Sequence, residues 1–333
     1  MKRFVFLAIA VLLSACAPFI QHPLTPGSGF QGPRLEDNAV ISFDGARLGL
    51  THWDPPDGHP WAVIVGVHGM DDYANAFHLA APYWASQGIA TYAYDQRGFG
   101  RSPGRGLWAG DELMTEDLRT VTALVRARFP GAVIAVAGES LGGAVAIEAF
   151  ASDRPPAADR LVLLAPAVWG WSSQPVPYRI ALWFGAHLAG PDVLTPPRFV
   201  TNHISASDNT AELIAMGRDP LMIWGARLDT LYGLVSTMQH ASDEIGQVRG
   251  PTIYMLGAHD QIIPRAPALA AANRLPAGDR TVYYADGWHL LLRDNQAPKV
   301  WADVAAFVRD PQAPFPSGAP LIGSPSPNVS ETR

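Results

Sequence analysis

Val133-Ile134-Ala135-Val136-Ala137-Gly138-Glu139-Ser140-Leu141-Gly142-Gly143 is the stretch on which the reading of this 333-residue chain turns. Five apolar residues predict a short buried strand, and the small residues from Leu141 to Phe150 predict a helix. Between them one serine sits in a Gly-x-Ser-x-Gly turn. A serine hydroxyl is a poor nucleophile near neutral pH, so it must be held where a base can reach it. A sharp turn does this at the expense of strained backbone and crowding two residues to either side. Glycine at 138 and 142 removes the Cβ atoms that would collide. The pentapeptide alone is a weak signal in a chain with 31 glycines, so partners for Ser140 must be sought elsewhere.

Working outward, Trp61–Val67 is a continuous apolar run of the kind found in strands buried on both faces. It ends at His68-Gly69-Met70. A helix is predicted over 76–87, closed by Gly88, then a strand over 89–94 ending at Asp95-Gln96-Arg97-Gly98-Phe99-Gly100-Arg101-Ser102. A helix over 111–129 carries Leu118, Val121, Leu124 and Val125 on one face. Ahead of these, 39–43 and 48–53 read as paired strands turned by Asp44-Gly45. Strands alternating with helices predict a mostly parallel sheet covered by helices on both faces. The alternation breaks at Ala165-Pro166. Residues 167–250 read as an inserted helical cap rich in Trp, Leu and Met. The sheet resumes at 252–256 and 281–284, with a last helix over 298–308. The expected organisation is a core over 36–166 and 251–310, a linker over 16–35, and a Pro- and Ser-rich disordered tail over 311–333.

A serine nucleophile needs a base, and the base needs an orienting acid. Asp260 follows the strand 252–256, and His289 follows the strand 281–284 in Gly287-Trp288-His289. Both fall at carboxyl ends of predicted strands, where open α/β sheets place their sites. They also follow the serine in the order Ser, Asp, His. The competing histidines are His259, which neighbours the acid, and His187, His203 and His240 in the cap. The competing acids are Asp286, three residues before His289, Asp229 in the cap, and Asp71, Asp72 and Asp95, which precede the serine. Backbone N–H groups of Met70 and Leu141 are the expected oxyanion donors.

These motifs resemble the α/β-hydrolase superfamily, and within it the monoacylglycerol lipase and lysophospholipase branch. The likeness covers roughly residues 39–309, apart from the cap. It implies an α/β-hydrolase fold with an inserted cap, and ester hydrolysis through an acyl-enzyme with no metal or cofactor. The implied substrate is a monoacyl lipid ester. A short-chain carboxylesterase, a serine peptidase of the same superfamily, and an inactive lipid- or partner-binding protein are the alternatives. Glu139 departs from the resemblance, because members often carry His there. A charged Glu beside the nucleophile would favour protonated His289.

At the amino end Lys2 and Arg3 precede an apolar run from Phe4 to Leu13, a signal-length segment. It ends in Leu13-Ser14-Ala15-Cys16, which resembles the lipobox of bacterial lipoproteins. Residues 1–15 are thus expected to be a signal peptide and Cys16 the lipidated first residue, holding an exported protein at a membrane surface. Ala17 leans towards the outer membrane. Cys16 is the only cysteine, which excludes an intrachain disulfide. At 48% hydrophobic and 16% charged residues the chain can bury a large core. The formal charge of −6 and the absence of a Lys/Arg cluster argue against a nucleic-acid partner. The oligomeric state is not legible.

Overall fold

The computed structural model describes residues 17–195 and 204–322. Cys16, the leader and His203 lie outside the described residues, as does the tail beyond 322. The core is a nine-stranded sheet. In chain order the strands are β1 (Arg34–Glu36), β2 (Ala39–Ile41), β3 (Arg47–Trp53), β4 (Ala62–Val67), β5 (Ile89–Tyr94), β6 (Val133–Glu139), β7 (Arg160–Leu164), β10 (Thr252–Gly257) and β11 (Arg280–Tyr284). Two short strands in the cap, β8 (Val193–Leu194) and β9 (Ala226–Arg227), pair only with each other.

The spatial order is β1-β2-β3-β5-β4-β6-β7-β10-β11. From β5 to β11 every pairing is parallel, and β1 to β3 join as antiparallel strands. The chain runs outward from β4 to β5, then crosses back over β4 to β6. The carboxyl ends of β4 and β6 therefore flank the point where strand order reverses, the usual place for a ligand crevice in such sheets.

Every residue of β4, β5 and β10 is buried. Their apolar runs do not alternate because helices cover both faces. One face packs on α2 (Asp111–Arg128), α3 (Leu141–Ala151) and α7 (Arg265–Ala272). The other packs on α1 (Ala80–Ser86) and α8 (Ala297–Arg309), through Trp84, Val300, Val304 and Phe307.

The Asp95–Ser102 stretch proves to be scaffolding. Arg97 is buried between Asp44 and Asp117, at 2.6 Å from each, and ties the β2–β3 turn to α2. Asp95 holds Arg101 at 2.7 Å and accepts from the Ala74 N–H. The Ser102 hydroxyl accepts from Gly49 N–H.

Between β7 and β10 lie α4 (Val176–Ala189), α5 (Thr210–Arg218) and α6 (Leu228–Glu244). Helix α6 rests on the core where Gly233 meets Trp108. A Cβ at 233 would stand 2.2 Å from the indole. Helix α4 packs along α6 and turns its other side outward. Of the cap's apolar residues only part is interior: Met222 and Met238 are buried, but Tyr178, Trp183, Phe184 and Leu188 are exposed. Packing therefore accounts for only some of these aromatics, because among the described residues nothing covers the outer side of α4.

Two segments differ from their sequence reading as tether and tail. Residues 34–36 form β1, and Gln21 donates to Leu107 O while Leu24 N–H donates to Asp44. At the other end, residues 311–322 run along β11. Tyr283 N–H donates to Pro320 O at 2.9 Å, and the Arg280 guanidinium stacks over Phe315. Pro and Ser content suggested disorder. Here the segment covers a sheet edge that would otherwise present unpaired backbone groups.

Candidate active site

Ser140 is the first residue after β6 and the last before α3. Its φ of 53° and ψ of −115° lie outside the regions open to most residues. The conformation is over-determined by its neighbours. Ser140 N–H donates to Leu164 O at 3.0 Å, and Ser140 O accepts from Ala144 and Ala167 N–H. The flanking glycines do what the turn requires. A Cβ on Gly142 would lie 2.0 Å from Val67 O, and one on Gly138 2.5 Å from Gly142 O.

The loop after β4 comes up beside the serine. A Cβ on Gly69 would sit 3.3 Å from that of Ser140, so the 69–70 backbone borders the nucleophile. Leu141 opens α3, where the first N–H groups have no partner within the helix. His68 is wholly engaged in holding this loop. Its Nδ1 faces Gly69 O at 2.7 Å and its Nε2 accepts from Gln96 N–H at 2.8 Å. Burial lowers its pKa and keeps the ring neutral, which suits a structural role.

Asp260 and His289 meet as the spacing of β10 and β11 demands. His289 Nδ1 lies 2.9 Å from Asp260 Oδ2. The other carboxylate oxygen accepts from Ile262 and Ile263 N–H at 2.8 and 2.9 Å. Burial alone would raise the Asp260 pKa, but the charge and hydrogen bond of His289, with those two N–H groups, hold it below the ordinary value. An ionised Asp260 fixes the Nδ1–H tautomer and leaves Nε2 free to accept a proton. Ser140 and His289 line one cavity of about 870 Å³, together with the 69–72 loop. Its other walls are largely apolar, with Leu194, Met222, Ile223, Trp224 and Leu231 from the cap.

The described competing histidines, and Asp286 and Asp229 among the acids, stand elsewhere. His259 stacks on Trp288, His187 stacks on Trp183, and His240 pairs with Asp111. Asp286 is exposed near Lys299, and Asp229 pairs with Arg227.

Sequence reasoning missed Arg293. It is buried directly behind the serine and binds Asp72 at 2.6 Å and Glu139 at 2.8 Å, with Glu212 of α5 at 3.9 Å. Burial raises the Glu139 pKa, and Arg293 opposes that shift. The carboxylate beside the nucleophile thus has its own counter-charge in Arg293, with His289 a smaller influence. The available signal was an arginine closing the apolar run Leu290-Leu291-Leu292. Asp71 enters the sequence reading only as a rival acid that precedes the serine. It has φ 62° and lines the cavity, and burial with the Asp72 charge pushes its pKa up to about 7. Among the described residues, the one group of three potential metal ligands lies outside this cavity.

A parallel sheet of this order, with a strained serine after a central strand and an Asp–His pair after the last two, defines an α/β-hydrolase. Comparison with known proteins agrees. A family model described as serine aminopeptidase, S33, matches residues 58–296. The chain belongs to that family and is a serine hydrolase of the α/β-hydrolase superfamily. The chain is 26% identical to a monoacylglycerol lipase of Mycolicibacterium smegmatis over 278 residues, covering 82% of this chain and 96% of the relative. Human monoglyceride lipase is 23% identical over 259 residues, covering 77% and 84%. Among solved structures, a soluble variant of Saccharomyces cerevisiae monoglyceride lipase bound to a substrate analogue superposes with a TM-score of 0.67. It shows 18% identity and covers 86% of this chain and 98% of that one.

Proposed function

We propose that the chain is a carboxylic ester hydrolase acting on monoacyl lipid esters, of the monoacylglycerol or lysophospholipid kind. The observation that carries this reading is an Asp–His pair and a strained serine opening into one cavity with an apolar roof. Ser140 Oγ attacks the acyl carbon while His289 Nε2 takes its proton. The oxyanion forms against Met70 and Leu141 N–H. Collapse expels the alcohol, which receives the proton from His289, and leaves an acyl group on Ser140. Water then repeats the sequence and frees the acid. No step calls for a metal or cofactor.

The roof favours an acyl chain over a charged peptide. Each buried methylene contributes about 0.8 kcal/mol, so four more carbons gain up to ~3 kcal/mol, over a hundredfold. The test is kcat/KM across p-nitrophenyl acetate, butyrate, octanoate and palmitate, beside monoacylglycerols, lysophospholipids, triacylglycerols and aminoacyl amides. Medium-chain monoacyl esters should exceed acetate, and bulky triacylglycerols and amides should be poor. Monotonic decline from acetate upward would assign a short-chain carboxylesterase instead, and faster amide than ester turnover would assign a peptidase.

The protein is exported and held at a membrane by lipid on Cys16. The sequence at the leader supports this, and so does the exposed apolar side of α4. Among the described residues no helix is long and apolar enough to cross a membrane. Cys16→Ser should release the chain or leave it unprocessed. Unchanged fractionation and mass would remove the proposal.

A further inference from the structure

Glu148 lies on the nucleophile-bearing helix α3, where α3 meets α2 and α6. It is only 9% exposed, and its Oε1 has no hydrogen-bond partner among the described residues. A carboxylate left this way in a helix interface is costly unless a cation or proton compensates it. A carboxylate oxygen of Asp111, one of Glu148 and a ring nitrogen of His240 all lie within 4.8 Å of one another. Glu244 stands one turn beyond His240 on α6, and its charge reaches both Glu148 and Asp111. Burial, then Asp111 and Glu244, push the Glu148 pKa up to about 10.

Among the described residues no lysine or arginine forms an ion pair with these three acids. Only His240 does, with Asp111 at 2.7 Å. Arg119, on the neighbouring helix α2, is committed to Glu116 and Ser152. The cluster therefore holds three acidic side chains and one imidazole in a part-buried seam, with no other cationic partner among the described residues. His240 is half exposed, which leaves a way in from solvent.

We propose that Asp111, Glu148 and His240 bind a divalent first-row transition ion, zinc foremost, that clamps cap helix α6 to the core. The donor set selects the ion. One imidazole nitrogen among carboxylates suits zinc, whereas calcium takes oxygen donors and a larger shell. The three donors come from α2, α3 and α6, so the ion ties three helices together, with water completing its shell. The consequence reaches the active site through α6, which also carries Leu231 in the cavity wall.

The test uses tag-free, chelator-treated full chain, titrated with zinc chloride and separately with calcium chloride, by calorimetry and thermal unfolding. Zinc should bind one per chain and raise Tm, reversed by EDTA, and calcium should do neither. Glu148→Gln and His240→Ala should each weaken zinc by more than about 100-fold, since even outer-shell partners cost 10–100-fold. Glu148→Gln alters a buried charge and shifts Tm by itself, so the reading is the zinc-induced increment. His240→Ala, at an exposed position, keeps the test open if the first variant folds poorly. No zinc heat and no Tm increment in the wild type would overturn the proposal. So would an increment that survives both substitutions, which places the ion elsewhere.

Discussion

Arg293→Met replaces a buried guanidinium by a side chain of similar length without charge. The guanidinium is 2% exposed and bonded to Asp72 and Glu139 at 2.6 and 2.8 Å. Its loss leaves two buried carboxylates without their counter-charge, with Glu212 close behind. Removing one partner of a buried ion pair costs about 3–5 kcal/mol. That is a large part of the ~5–15 kcal/mol that holds most domains. The deficit should depend on pH. Burial already raises the Glu139 pKa, and without Arg293 it rises further in the folded state only. The folded variant then holds protons that the unfolded chain gives up, so its stability falls as pH rises from about 4 to neutrality. Urea unfolding at pH 5 and pH 8 should show the larger deficit at pH 8. Adding Glu139→Gln removes one of the stranded charges and should restore at least about 1 kcal/mol at pH 8. A deficit under about 1 kcal/mol, or one equal at both pH values, would refute the idea that Arg293 serves as the counter-charge behind Ser140.

Gly142→Ala should abolish hydrolysis and cost more than about 2 kcal/mol, because the new methyl would lie 2.0 Å from Val67 O; an active, stable variant in the same assays would contradict the close approach of α3 to β4. Asp260→Asn should lower kcat by about 10³ or more, with Asp286→Asn near wild type, and the reverse ranking would move the orienting acid. Asp71→Asn should flatten a pH slope of stability. Its carboxyl is raised from 3.8 to about 7, so the wild type loses stability through this group between those pH values. The variant should gain on it by up to about 4 kcal/mol by pH 8, less where cavity water screens the charge, and equal urea midpoints at pH 5 and pH 8 for the pair would count against it.

The sheet was legible because its buried strands are uninterrupted apolar runs, Ala62–Val67 and Thr252–Gly257 among them. Ser140, Asp260 and His289 were legible because chain order and strand ends restrict where they can stand. What escaped were groups whose role depends on partners far away in the chain. Arg293 is separated from Asp72 by 221 residues and from Glu139 by 154, and no local periodicity couples them. Residues 311–322 have the composition of a tail, yet they are fixed by Thr281, Tyr283 and Asp303. The exposed face of α4 was hidden for the opposite reason. The cap reads as a whole from its Trp, Leu and Met content, and only the placement of α6 shows that, among the described residues, one side of α4 has no neighbour.

The proposed mechanism requires that Ser140 becomes acylated. Intact-protein and peptide mass spectrometry after a fluorophosphonate, and after rapid acid quench during p-nitrophenyl octanoate turnover, tests it directly. One adduct per chain is expected on the peptide containing Ser140, absent in Ser140→Ala, whose kcat falls by about 10³ or more. An adduct on another residue, or turnover by Ser140→Ala near the wild-type rate, would contradict it.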